Sequence, residues 1–174
     1  MATAGNVRVG VTGAVYYAAT STTLPTSAAA ALAGAFDDVG YISEDGITQT
    51  MNIDTNDIQA WQNGDVVRKI QTSHDLTYTF TMLEMSAETV ELFYGDYTAG
   101  VTEITGDQLG NWAFVLDVVD GDNDIRIVIP DGQVTDRGDV VYSGTDPIGY
   151  EVTITCYPDS DGVKAYHYAD DFIS

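Results

Sequence analysis

Basic residues are scarce. Six Lys and Arg stand against 27 Asp and Glu in 174 residues, a formal charge of −21. Nucleic-acid backbones and anionic leaflets are held by exactly the residue types that are missing, through counterion release and surface potential. An ordinary DNA or RNA binder and a peripheral membrane protein are therefore excluded. Cysteine is rarer still. Cys156 is the one thiol, so no intrachain disulfide forms, and a compartment that makes no use of oxidation is expected. No run approaches the roughly 18 to 20 apolar residues of a membrane helix. Met1 to Val11 has neither the basic start nor the apolar stretch of a signal peptide. The expectation is a soluble protein made in a cytoplasm.

The chemistry of catalysis is thin as well. His74 and His167 are the two histidines, and they read as a strand-end and a tail residue rather than as general bases. No G-x-S-x-G elbow occurs for a serine nucleophile. Cys156 sits at an apolar parity of a strand, which suits a buried inert thiol. One Cys with two distant His does not make a zinc site. Asp120, Asp122 and Asp124 have the 1, 3, 5 spacing of a calcium loop and Asp131 falls at position 12, but Ile125 stands where that loop needs glycine. A solvated turn is the preferred reading and a weak cation site the remaining alternative. Acidic pairs such as Glu44-Asp45 and Asp170-Asp171 read as solvated. No enzyme, cofactor or metal is expected.

What is present is the material of a β protein. The chain is 44% hydrophobic, with 11 Tyr, 5 Phe and 2 Trp, enough for a core and too much for wholesale disorder. Most of it alternates with period 2 between Gly, Asp and Asn clusters. Val7, Val9 and Val11 alternate with polar or small residues. Ile47, Gln49, Met51 and Ile53 oppose Thr48, Thr50, Asn52 and Asp54, and Leu76, Tyr78, Phe80 and Met82 oppose Thr77, Thr79 and Thr81. Trp112 to Val119 is apolar at both parities apart from Asp117, the pattern of a central strand covered on both sides. Asp120-Gly121-Asp122-Asn123 turns it into Ile125, Ile127 and Ile129. Short strands are predicted at Val140 to Tyr142 and around Val152, Ile154 and Cys156. One helix is predicted over Ser86 to Tyr94, with Ser86 as N-cap and Gly95 as stop. Thr20 to Phe36 is Ser/Thr- and Ala-rich and reads as a long loop. The division expected is a single domain, 1–174, with a loop or arm at about 18–38 and a short C-terminal tail at about 165–174.

Several stretches carry a family resemblance: Val9 to Tyr16, Thr22-Thr23-Leu24-Pro25, Gly40 to Ile47, Asp57 to Arg68, and Thr77 to Phe80. In their order and spacing, over about residues 5 to 95, they resemble the major tail protein of long-tailed, non-contractile phages of actinobacterial type. The resemblance implies a mainly β, tail-tube-type β-sandwich or barrel with one flanking helix, related in architecture to contractile-phage tubes and the tube protein of type VI secretion. It implies a structural virion protein, without catalysis, whose hexameric rings stack into a tube that conducts the double-stranded DNA genome to the host. It also implies assembly in the host cytoplasm and three partners besides itself: a tape-measure protein, a tail terminator and a distal tail protein.

Under that implication, open sheet margins are expected to join between subunits, since free edges are a hazard and closed barrels have none. The polar faces, Thr48, Thr50, Asn52 and Asp54 with Thr77, Thr79 and Thr81, are expected to line the lumen. The six cations should lie away from it. Asp65, Arg68 and Lys69 are expected at an intersubunit contact, as are Leu24, Pro25 and Phe36 of the arm; for the arm, a mobile surface loop is the other open reading. An acidic wall offers DNA no binding well, although acidity also serves simple solubility. A different class remains in play: a calcium-dependent or carbohydrate-binding acidic β-sandwich module of a surface or virion-decorating protein, equally strand-rich and cysteine-poor.

Overall fold

The computed structural model describes residues 7–95 and 97–169. Its elements in chain order are β1 (Thr12–Ala19), β2 (Asp37–Asp38), β3 (Ile42–Gln59), β4 (Val66–Met82), α1 (Ala87–Tyr94), β5 (Tyr97–Thr98), β6 (Val101–Thr102), β7 (Asn111–Asp120), β8 (Asn123–Arg137), β9 (Tyr150–Tyr157) and β10 (Tyr166–Ala169). The mainly β expectation with one helix holds. Eight strands form one antiparallel sheet in the order β2-β1-β7-β8-β9-β4-β3, with β10 also on β8; β5 and β6 make a separate pair.

The sheet bends along β8. Ile125 to Val128 pairs with β10, whereas Asp131 to Arg137 pairs with β9. The switch falls at Pro130-Asp131, where the register against β7 slips between the Trp112 and Phe114 pairs. Proline lacks an N–H for the ladder and is tolerated at such a bulge. The slip also moves the inward parity from Ile127 and Ile129 to Gly132 and Val134, so both arms of β8 face one core. A side chain at Gly132 would collide with Ile154 Cγ2 and Phe114 Cδ2, each 2.9 Å from an added Cβ. Glycine is required there by the close approach of the Ile154 and Phe114 side chains from the flanking strands.

The inward residues are those that alternation selects: Val15 and Tyr17, Phe114 and Leu116, Val152 and Ile154, and Leu76, Tyr78, Phe80 and Met82. Each large side chain buried this way stabilises the fold by about 1.5–3 kcal/mol. Ser86 Oγ caps α1 by accepting from Thr89 N at 3.2 Å, and Gly95, φ +109, ends it. The helix lays Leu92 and Phe93 on the core, and the Phe93 ring meets Tyr150 edge-on at 5.3 Å.

β7 is buried on both faces, as its composition requires; Ala113 and Val115 are as covered as Phe114 and Leu116. The arm at 20–36 has no strand or helix, buries Pro25 and Ala28, and reaches the outer side of this sheet at Arg126. Arg126 fastens it. Its guanidinium grips Asp117 in a fork, Nε to Oδ1 at 2.6 Å and Nη2 to Oδ2 at 2.7 Å, and donates from Nη1 to the Ala30 carbonyl.

Three local expectations are corrected. Val7, Val9 and Val11 are exposed and precede the first strand, which starts at Thr12. No strand forms at Val140 to Tyr142, where Val141 and Tyr142 are exposed without a pairing partner among the described residues. Residues 166–169 of the C-terminal stretch pair with β8, so His167 belongs to a strand. The remainder of that stretch, including Asp170-Asp171, lies outside the described residues.

Candidate functional site

Register assembles a hydroxyl-rich face on β3, β4, β9 and the second arm of β8. One row across the four strands reads Thr50, Thr77, Thr155, Gln133; the next reads Thr48, Thr79, Thr153, Asp136. Thr81 follows beside Glu151, and in the other direction Asn52 meets Asp75 and Asp54 meets Ser73. All seven residues expected to share a polar face do share it. Hydroxyls bond across strands, Thr79 Oγ1 to Thr153 Oγ1 at 2.9 Å and Thr135 Oγ1 to Thr155 Oγ1 at 2.7 Å, and Ser73 donates to Asp54 Oδ2 at 2.8 Å. Gln133 closes its row, accepting from Gln108 and Tyr157 and donating to the Leu109 carbonyl. β-branched threonine suits this half-exposed surface.

Among the described residues β3 pairs only with β4, so its outer margin is open, whereas the β8 margin is open only at residues 135–137, because Gln133 still pairs with Asn111 of β7. Such margins present unpaired backbone N–H and C=O groups.

β3 and β4 outrun the sheet. β9 accompanies β4 only from Thr77 to Met82, so the hairpin beyond Asn52 and Asp75 projects as a two-stranded ribbon. Its tip turns through Asn63 and Gly64, both at positive φ, closed by Ala60 N to Asp65 O at 2.8 Å. Trp61 at the tip is 99% exposed, and Ile58, Val66, Val67 and Ile70 are exposed around it. Met51 and Ile53, of inward parity, are also exposed among the described residues.

Asp65, Arg68 and Lys69 all lie on this ribbon. Lys69 pairs with Asp57 across it at 2.8 Å, an exposed contact that contributes about 0.2–1 kcal/mol. Arg68 makes no salt bridge among the described residues; by register it shares the parity of Thr50 and Asp54. The other cations lie elsewhere: Arg126 under the arm, Lys164 donating to the His74 carbonyl, Arg137 at the sheet margin and Arg8 ahead of β1. Leu24, Pro25 and Phe36 belong to the arm; Pro25 is buried and the other two half-buried.

Asp120, Asp122 and Asp124 do not converge. Asp122 lies in the two-residue turn with Gly121, φ +64, between paired Asp120 and Asn123; Asp124 follows on β8, and Asp120 accepts from Val9 N. Among the described residues no three His, Cys, Asp or Glu side chains gather as a metal site would require. Cys156 is buried, and burial pushes its thiol up to about 12, which suits an inert packing residue.

The sequence reading left Thr135, Thr153 and Thr155 out of the polar face. The alternation around Ile154 marked Thr153 and Thr155, but only strand order brings them beside Thr77 and Thr79, and Thr135 of β8 beside Thr155.

Comparison with known proteins bears on this geometry. A family profile described as phage tail tube protein matches residues 1–173. No curated protein sequence matches the chain. The tube-terminating cap of the anti-feeding prophage superposes with a TM-score of 0.50 at 9% identity, over 90% of this chain and 88% of that one. A chain of the sheath-tube complex of an extracellular contractile injection system, PVC, gives 0.50 at 9% identity, over 98% and 100%. At such identities the likeness concerns the fold.

Proposed function

The chain belongs to the phage tail tube protein family, and from that premise we propose that its copies close into hexameric rings, stacked as the DNA-conducting tube of a non-contractile phage tail. The protein is a structural component of the virion. The observation that carries the reading is the threonine face with open margins at β3 and at the end of β8. Pairing part of β3 in one copy with the short open end of β8 in the next joins the two sheets, and the same heterologous contact repeated around an axis closes a barrel.

Dimensions favour six copies over three. Each copy offers four strands to the wall. At about 4.8 Å between strands and about 40° of tilt, six copies give a backbone cylinder about 50 Å across and three about 25 Å. Side chains about 5 Å deep on each side leave bores of about 40 and 15 Å, and only the first passes a duplex about 20 Å wide.

With the threonine face inward, the wall within the sheet carries hydroxyls and the carboxylates of Asp54, Asp75, Asp136 and Glu151, and no lysine or arginine. Such a wall offers the duplex no cationic well. Repulsion is screened over about 8 Å at physiological salt, so it prevents sticking without barring passage. The arm is anchored on its own subunit; its exposed outer side, with Leu24 and Phe36 half-buried, is placed to meet a neighbour. A tape-measure protein inside the bore, a terminator at one end and a distal tail protein at the other complete this reading, with assembly in the host cytoplasm.

Electron microscopy of the concentrated protein tests it. Rings or hollow tubes are expected, and isolated globules at every concentration and salt would refute it.

A further inference from the structure

The corner that joins β3 to β4 holds a reactive pair. Asn63 is followed by Gly64, and none of the other five asparagines of the chain has glycine after it. An asparagine side-chain amide is open to attack by the backbone nitrogen of the next residue, and a Cβ on that residue stands in the way. Glycine has none.

The fold adds what the dipeptide alone does not. Asn63 and Gly64 hold positive φ, +62 and +68, as a hairpin corner selects. Both are exposed, and a Cβ built at Gly64 meets nothing within 4 Å, so packing does not hold this corner shut. The turn is closed by Ala60 N to Asp65 O, and directly below it the register of β3 against β4 slips between Ile58 and Gln59. β9 accompanies β4 only from Thr77 onward, so among the described residues the ribbon below the corner has two strands. A two-stranded ribbon is marginal by itself and opens locally at low cost.

The other described asparagines are restrained. Asn111 Nδ2 donates to Asp131 Oδ1 at 2.7 Å and Asn123 Nδ2 to the Asp120 carbonyl at 3.3 Å. Asn52 and Asn56 sit in the ladder opposite Asp75 and Ile70, and the bulkier Ile53 and Asp57 follow them. Asparagine is a thermolabile residue in general; in this chain the lability is concentrated at one corner.

We propose that Asn63 is a site of spontaneous covalent modification. As the corner opens, Gly64 N bonds to Asn63 Cγ and the Cγ–Nδ2 bond breaks. The proton of the Gly64 amide goes to the departing nitrogen, ammonia leaves, and a five-membered succinimide remains. Water then opens the ring. Attack at Cγ gives aspartate at position 63; attack at the main-chain carbonyl gives isoaspartate, in which the chain runs on through the former side chain. No oxidant, reductant or cofactor enters. Either product sets a new carboxylate near Asp65, and isoaspartate also inserts a methylene into the backbone, which the original turn does not accommodate. The inference stands on the single chain and is independent of the tube reading.

Mass spectrometry of the purified chain, aged warm at mildly alkaline pH, tests it. Cleavage before aspartate releases Asp57–Gly64, in which Asn63 is the one asparagine. The aspartate product is cut again before position 63 and the isoaspartate product is not, so the two are told apart. Position 63 should gain the mass of an amide turned into an acid at least tenfold faster than Asn52, Asn56, Asn111 or Asn123, with isoaspartate among the products. Gly64→Ala, checked for an unchanged melting temperature, should slow the change at least tenfold. An Asn63 that stays intact while other asparagines change, or that changes no faster than they do, would overturn the proposal, and so would an equal rate in folded Gly64→Ala. If that variant does not fold, the wild-type comparison among the asparagines decides alone.

Discussion

The hydroxyl of buried Tyr78 lies 2.8 Å from Nε2 of His167 at the margin of the core, joining β4 to β10 across the two halves of the sheet. Burial pushes the Tyr78 phenol up and the His167 imidazole down from its usual 6.5. The folded chain therefore resists protonating a histidine that the unfolded chain protonates readily.

This coupling gives a signed pH dependence. Below about pH 6.5 the unfolded state binds more protons at this site than the folded one, so the stability present at higher pH is lost as pH falls toward the folded value. The melting temperature of the wild type should fall more between about pH 7.5 and pH 5.5 than that of His167→Gln. Parallel profiles would contradict it. Tyr78→Phe, which strips the imidazole of its partner, should cost about 0.5–1.5 kcal/mol in denaturant unfolding at neutral pH.

Arg126→Met should loosen the arm. The Arg126 and Asp117 side chains are only 11% and 20% exposed, and removing one partner of a buried pair costs about 3 kcal/mol or more. Limited proteolysis should then cut within residues 20–36, where the wild type resists. Asp117→Leu with Arg126→Met, which leaves no orphan charge, should recover much of the stability but not the resistance, because the Ala30 carbonyl still lacks its donor.

The wall chemistry is tested by Thr50→Lys. Thr50 is exposed on the threonine face, so folding should change by less than about 0.5 kcal/mol and tubes should still form. The tubes should now retain duplex DNA at low salt and release it steeply as salt rises, whereas wild-type tubes retain none. Equal retention by both would place that face away from the bore.

Much of this architecture is legible in the residues. Alternation at Leu76 to Met82 and Thr48 to Asp54 marks the two faces of β3 and β4 because one side is covered and the other wet. The double-sided apolar run of β7 announces its central place, and Ser86 with Gly95 bounds the helix. What escapes does so for physical reasons. The strand marked by Ile125, Ile127 and Ile129 runs on to Arg137, because a bulge absorbs Pro130 and close packing demands Gly132. The slip of parity at that bulge hides Val134 from a period-2 reading. Val7, Val9 and Val11 alternate like a strand, yet only Val11 N reaches the sheet, at the Val119 carbonyl, and Met51 and Ile53 look like core although they stand exposed among the described residues. Alternation also cannot tell which strands are neighbours. Thr153 and Thr155 enter the polar face only through the pairing of β9 with β4.

The most direct test is a near-atomic cryo-EM map of the assembled tube. The account predicts a six-fold wall in which the outer margin of β3 exchanges backbone hydrogen bonds with the neighbouring copy, and in which Thr50, Thr77 and Thr155 face the bore. A lumen lined by lysine and arginine, or copies that meet without continuing one another's sheet, would contradict it.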